Sequence, residues 1–324
     1  MATRPAVVSS GQAPLRLFSI PLDRRFWVIA SLAAVYIIWS TTYLVLRFAL
    51  ESFPPYWLMA TRFVIAGGGL LIFLALRGVP MPTPRQWRNA AIIGALLLGG
   101  GMGSVAMAEQ SISSGLAAAL VATSPLLTML FGLLWKRIPS RNEWFGVLFG
   151  LAGVVLLSLE GNLQANPIGI LQCTFASMCW AFGSVLTKHL DFPEGVMGSA
   201  AEMVTGGVIL CGLAIVSGET FPTAPTTGSL LSVLYLIIFG SLITMVSFGY
   251  LLKHVSPTLA TSYSFVNPAF ALLLGVLLGG EVLTGSALIA LPVILVGIAF
   301  VFRDQRKSAT GKTGDEPVIV PESA

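Results

Sequence analysis

Apolar runs of about twenty residues recur ten times along this chain, and few charges interrupt them. A bilayer core about 30 Å thick takes about 20 apolar residues per spanning helix. The runs cover roughly 27–46, 57–76, 88–108, 115–134, 143–159, 167–187, 196–217, 229–250, 258–278 and 285–302. Short connections separate them, several with helix breakers: Pro54-Pro55, Pro80-Met81-Pro82, Pro139, Asn166-Pro167 and Pro222. In lipid the backbone must satisfy its own hydrogen bonds, which leaves helices or a closed barrel. Barrel strands alternate over about ten residues, and these runs do not alternate. The pattern predicts an all-α integral membrane protein of ten transmembrane helices. Only 10% of the 324 residues are charged and 55% are hydrophobic. Soluble domains carry about 25% charge, so the expected environment is the lipid bilayer.

Residues 1–25 form a polar N-tail and 304–324 a polar C-tail. The first apolar run, Phe26 to Leu46, exceeds the roughly 7–15 residues of a signal-peptide core and reads as a retained span. Of the 18 Lys and Arg residues, 16 fall in the tails or loops on the N-terminal side of the membrane; Arg47 and Arg62 are the exceptions. Glu51, Glu109, Glu160, Glu219 and Glu281 lie near the opposite loops. The positive-inside rule then places both termini in the cytoplasm of a multi-pass inner (plasma) membrane protein. The net charge of +4 is explained by this placement, so no nucleic-acid partner is expected. Cys173, Cys179 and Cys211 lie within apolar runs and read as small packing residues.

The two halves of the chain echo one another. Trp39 and Arg47 fall on Trp180 and Lys188 at an offset of 141. Residues 113–117 fall on 256–260 at an offset of 143, with Pro125 on Pro268 and Gly132 on Gly275. The expected units are a repeat over 26–160 and a second over 161–303, with five spans each. Five is odd, so the second repeat enters from the other side and the repeats are inverted. Inverted repeats around a central cavity are a common secondary-transporter plan.

Several of these residues form a known pattern: Trp39-Ser40-Thr41-Thr42-Tyr43, Arg62-Phe63, Leu259-Ala260 with Asn267-Pro268, and Gly280-Glu281. In them the chain resembles the drug/metabolite transporter superfamily, in particular its ten-helix EamA-type exporters of the YddG and YedA type. The resemblance covers roughly 26–303. It implies export of amino acids or related metabolites, aromatic ones for the YddG type. The first half departs from the pattern, with Trp135-Lys136-Arg137 where a Gly-Glu ending would stand.

Polar groups are costly in hydrocarbon and usually face the bundle interior or water. The candidates for a substrate cavity are Trp39, Thr42, Tyr43, Thr123, Ser124, Trp180, Ser184, Tyr263 and Asn267. The alternative for Ser and Thr is a bond to their own helix or packing between helices; for Trp and Tyr it is the interfacial belt, which suits Trp27, Tyr56, Trp57, Trp87 and Trp144. Pro125 and Pro268 each remove a backbone donor and are expected to bend their helices. Three charges stand apart. Arg62 could hold a substrate carboxylate, snorkel outward or pair with Glu51. Glu202 could bind an ammonium, carry a proton or pair with a nearby base. Glu109 could carry a proton or sit on the external rim.

No HExxH, GxSxG or nucleotide-binding P-loop occurs, so neither an enzyme, a metal site, a cofactor nor direct ATP drive is expected. The reading is a secondary exporter of small metabolites, most simply amino acids, working by alternating access as a monomer or weak dimer. The alternatives are export of another metabolite or a drug, and a receptor or assembly subunit without flux. In a bacterial host, a C-terminal green fluorescent protein fusion is expected to fluoresce and a C-terminal alkaline phosphatase fusion to be inactive. The opposite pair of results would overturn the orientation.

Overall fold

The computed structural model describes residues 23–112, 114–158, 166–268, 270, 289, 292–301 and 303. Residues 1–22, the C-tail 304–324, Ser113, Glu160, Gly275, Glu281 and most of the chain between 271 and 291 lie outside the described residues.

The described chain is helical. Seven helices are long and apolar enough to cross a membrane: α1 (Arg24–Leu50), α2 (Pro55–Leu76), α3 (Pro84–Ala108), α4 (Leu116–Trp135), α6 (Pro167–Leu186), α7 (Val196–Val216) and α8 (Thr227–His254). α5 (Arg141–Ser158) follows α4 but opens on the polar turn Arg141-Asn142-Glu143, which lowers its mean hydropathy. α9 (Pro257–Thr261) and α10 (Pro292–Val301) are described pieces of the last two apolar runs. The helices expose many large apolar side chains, with Leu76 82% and Val216 86% exposed. A surface of that kind suits lipid rather than water.

Helix starts follow simple capping chemistry. Thr83 accepts from the Gln86 N–H, and the Gln86 side chain accepts from the Thr83 N–H. Asn166, Thr226 and Ser256 each accept from an N–H of the following turn. Such caps fill donors that a helix cannot satisfy itself. Pro54 has no side chain to do this at α2. The carboxylate of Glu219, from the loop after α7, accepts from the N–H groups of Tyr56 and Trp57 at 3.0 Å each. The Trp57 ring N–H donates back to the Glu219 carbonyl at 2.9 Å. The start of α2 is therefore capped by the second half of the chain.

Two antiparallel pairs frame the bundle. α1 runs along α8: Arg24 Nη2 donates to the His254 carbonyl at one end, and Ser52 meets Thr226 at the other. α2 runs along α7, with Gly67 against Met203 and Gly207 against Val64. A Cβ added at Gly67 would stand 2.6 Å from the Met203 Cβ. Lipid tails are as apolar as leucine, so helices associate through this close packing rather than through a hydrophobic drive. α3 lies between α6 and α7 and carries a π-helical stretch, Ala95–Gly103; α8 carries another, Ile238–Ile243.

The two prolines expected to bend helices occupy different settings. α4 breaks at Ala122-Thr123, and Pro125 sits in the first turn of the restarted helix, where its missing N–H costs nothing. The chain after α9 turns at Ser262 and is helical again through Pro268.

Gly67→Leu is expected to destabilise the protein by about 1–3 kcal/mol through overpacking. Gly68→Ala, with nothing within 4 Å of the added carbon, should leave stability unchanged or slightly raised. Thermal unfolding of the two purified variants in detergent checks the contrast.

Candidate functional site

A cavity opens among α1, α2, α3, α4, α6 and the segment after α9. It leaves about 70 Å³ open to the centres of water-sized molecules. On the roughly 10–15 Å³ that one water needs by this measure, that is room for about five waters, or one small metabolite. Trp39, Thr42, Tyr43 and Leu46 come from α1, Met59 and Arg62 from α2, and Gly101, Met102 and Val105 from α3. Val121 and Ser124 come from α4, Ala176, Ser177 and Trp180 from α6, and Tyr263 and Asn267 from the chain after α9.

The cavity sits nearer the bundle end that carries the end of α1 and the starts of α2 and α6. Aromatic rings floor it. Trp39 packs edge-on against Trp180, centroids 5.4 Å apart, and against Tyr263 at 4.5 Å. Phe248 lies beneath, 5.3 Å from Trp39 and 5.2 Å from Trp180. Edge-to-face pairs at these distances contribute beyond their buried area.

The π-helical stretch of α8 lies behind the wall and holds two of its residues. The carbonyl of Gly240 accepts from Trp39 Nε1 at 3.4 Å, Arg62 Nη2 at 2.5 Å and Thr244 Oγ1 at 2.7 Å. Ser241 Oγ accepts from Arg62 Nε at 2.7 Å. A Cβ at Gly240 would lie 3.0 Å from Arg62 Nη2, so the glycine makes room for the guanidinium.

Polar groups inside the cavity are incompletely paired. Ser40 donates to Asn267 Oδ1 at 2.9 Å; Asn267 also neighbours the Tyr43 hydroxyl, but its Nδ2 makes no hydrogen bond within 3.5 Å among the described residues. Trp180 Nε1 and Ser124 Oγ are buried and likewise without partners. An unmade hydrogen bond on a buried group costs about 1–3 kcal/mol, so three such groups around one hollow are an unusual concentration.

Of the sequence candidates, Trp39, Thr42, Tyr43, Ser124, Trp180, Tyr263 and Asn267 lie on the cavity wall, as does Arg62. Thr123 and Ser184 lie off it and donate to Leu120 and Trp180 carbonyls in their own helices. Arg62 is buried and, among the described residues, has no carboxylate within ion-pair distance; Glu51 is exposed. Glu202 lies off the cavity, buried where α7 meets α3, with Oε1 unpartnered. Both carboxyl oxygens of Glu109 are buried without partners among the described residues, and Arg47 is a cation acting on it. The apolar wall residues Met59, Met102, Val105 and Ala176 gave no polar signal in the sequence, and neither did Gly240. No three His, Cys, Asp or Glu come together as a metal site among the described residues.

The sequence profile of the EamA-like transporter family matches this chain twice, over residues 25–159 and 167–303. The chain belongs to the EamA-like transporter family. It is a membrane transporter of the drug/metabolite transporter superfamily. The uncharacterized inner membrane transporter YedA of Escherichia coli (strain K12) is 44% identical over 272 residues, 84% of this chain and 89% of that protein. Protein PecM of Dickeya dadantii is 28% identical over 269 residues, 82% and 86% of the two chains. A crystal structure 23% identical in sequence aligns with a TM-score of 0.72, over 88% of this chain and all of the other, and supports the fold alone. Transporter homologues accord with a protein that is not an enzyme.

The end of the EamA bundle opposite the cavity is tied shut. Arg137 pairs with Glu143 and donates to Thr258 Oγ1. Lys188, just past the end of α6, donates to the Val255 carbonyl, and Lys253 reaches the Pro193 carbonyl. Burial, and then the neighbouring Arg137 charge, push the Lys188 ammonium down from 10.5 to about 8. Between these values the unfolded chain holds the proton more tightly than the folded one, so stability rises with pH. Apparent Tm is expected to gain a component that climbs from pH 8 to pH 10.5 and is absent in Lys188→Met. An identical pH profile in the variant would contradict it.

Proposed function

We propose that this transporter exports small metabolites, most simply amino acids, across the inner membrane, by alternating access of two inverted five-helix repeats spanning the bilayer ten times. The observation that carries this reading is the group of three unpartnered buried polar groups, Ser124 Oγ, Trp180 Nε1 and Asn267 Nδ2, around one small, mainly apolar hollow. A ligand with acceptor atoms would relieve all three, and its apolar part would lie against the aromatic floor. The size of the hollow favours a small metabolite over a bulky drug.

Several features support two equivalent halves with units near 26–160 and 161–303. The family profile matches each half once. The capping residues Thr83 and Thr226 stand 143 positions apart, the offset that relates Pro125 to Pro268. The π-helical stretches Ala95–Gly103 and Ile238–Ile243 overlap at the same offset. In this reading the tied end faces the cytoplasm with both termini, and the cavity faces outward. Exchange of the two halves' conformations would open the tied end and close the other. The inner-membrane setting follows the relative YedA.

Counterflow of labelled amino acids into proteoliposomes tests the reading. Uptake of at least one member of an amino-acid panel is expected. Asn267→Leu and Trp180→Phe should each lower uptake below saturation by about 5–30-fold, as losing about 1–2 kcal/mol of hydrogen bonding requires. No exchange of any member by folded wild-type protein would overturn amino-acid transport.

A further inference from the structure

Arg62 is 3% exposed and lies on the cavity wall. A buried cation is ordinarily matched by a carboxylate, because removing a charge from water costs several kcal/mol per ion. None is within ion-pair distance among the described residues. Its acceptors are all uncharged: Ser241 Oγ, the Gly240 carbonyl and, weakly at 3.8 Å, Met59 Sδ. A guanidinium has five N–H groups, so two remain for another acceptor. Ser241 and Gly240 hold one edge of the fork in place. The fork is thus aimed before any ligand arrives, and less freedom is lost on binding.

The other unpartnered groups of the cavity point to the same chemistry. Trp180 Nε1 and Asn267 Nδ2 can only donate, and the Ser124 hydroxyl can donate. No carboxylate lines the wall among the described residues. A hollow with one cation, several spare donors and no anion is complementary to a monoanion. One guanidinium in a mainly apolar hollow of this size would leave a phosphate ester undercompensated, whereas a carboxylate matches a guanidinium fork in charge and geometry.

We propose that Arg62 is the anchor for a substrate carboxylate, and that this site makes the transporter select carboxylates over the corresponding amides and amines. Ser241 and Gly240 are positioning residues that act through Arg62. The inference rests on the reading of the cavity as the transport site and adds the group the cavity recognises.

Two measurements keep the two claims apart. The first is binding without transport. Benzoate and benzamide differ only in the carboxylate, and quenching of tryptophan fluorescence in purified protein reports occupancy beside Trp39 and Trp180. Wild type is expected to bind benzoate at least about tenfold more tightly than benzamide, as a charge-assisted pair requires. The ratio should fall towards one in Arg62→Gln, stay partly raised in Arg62→Lys, and fall less in Ser241→Ala. Equal binding of the two by wild type, or an unchanged ratio in folded Arg62→Gln, would overturn the anchor. Should Arg62→Gln not fold, the wild-type ratio and Arg62→Lys still decide.

The second is counterflow of labelled phenylalanine, leucine and threonine in competition with their amides and decarboxylated amines. The carboxylate forms should compete at least about tenfold better, and Arg62→Lys should narrow that margin. Equal competition by the amides would also overturn the anchor. Benzoate selectivity without exchange of any amino acid would overturn amino-acid transport and leave the carboxylate site standing.

Discussion

The carbonyl of Gly240 gathers three donors, from Trp39, Arg62 and Thr244, and the organisation of the cavity depends on it. An ordinary α-helical carbonyl is occupied by the N–H four residues on and crowded by side chains. The π-helical stretch Ile238–Ile243 interrupts that pattern, and the missing Cβ of Gly240 clears the approach. π-turns of this kind occur often at functional sites. Here one such turn orients a floor ring from α1 and a guanidinium from α2, so three helices are registered against one another at the cavity wall.

Packing supplies the rest. Where lipid provides no drive for helix association, close approach does. Gly67 and Gly207 let α2 and α7 approach almost backbone to backbone. Glu219, in the loop after α7, then caps the start of α2. The first half of the chain is therefore completed by the second at several points: a helix start, a helix pair and the cavity itself.

The bundle is asymmetric along its length. One end holds a hollow with unpartnered donors; the other is closed by Arg24, Arg137, Lys188 and Lys253, each reaching a carbonyl or hydroxyl of another segment. The basic residues on that side serve as bolts. Long, flexible side chains that bond carbonyls make contacts that can be exchanged without breaking a packed core.

The sequence by itself determined the class of protein, the seven long apolar helices, the proline-marked connections and the list of polar residues within apolar runs. These follow from hydropathy and length, which are local properties. It also held the 143-residue offset, since equivalent caps such as Thr83 and Thr226 are written in residue type. Only the tertiary structure decided which polar residues share a cavity. Ser124 lines it while its neighbour Thr123 does not, and Trp180 lines it while Ser184, one turn on, does not. Depth can be read from a sequence, but the direction in which a side chain points depends on helix rotation. The break at Ala122-Thr123 in α4 and the π-helical stretches in α3 and α8 each reset that rotation. The same limit hid the setting of Arg62: its charge was plain, but that no described residue gives it a counter-ion depended on the neighbours that the fold assembled.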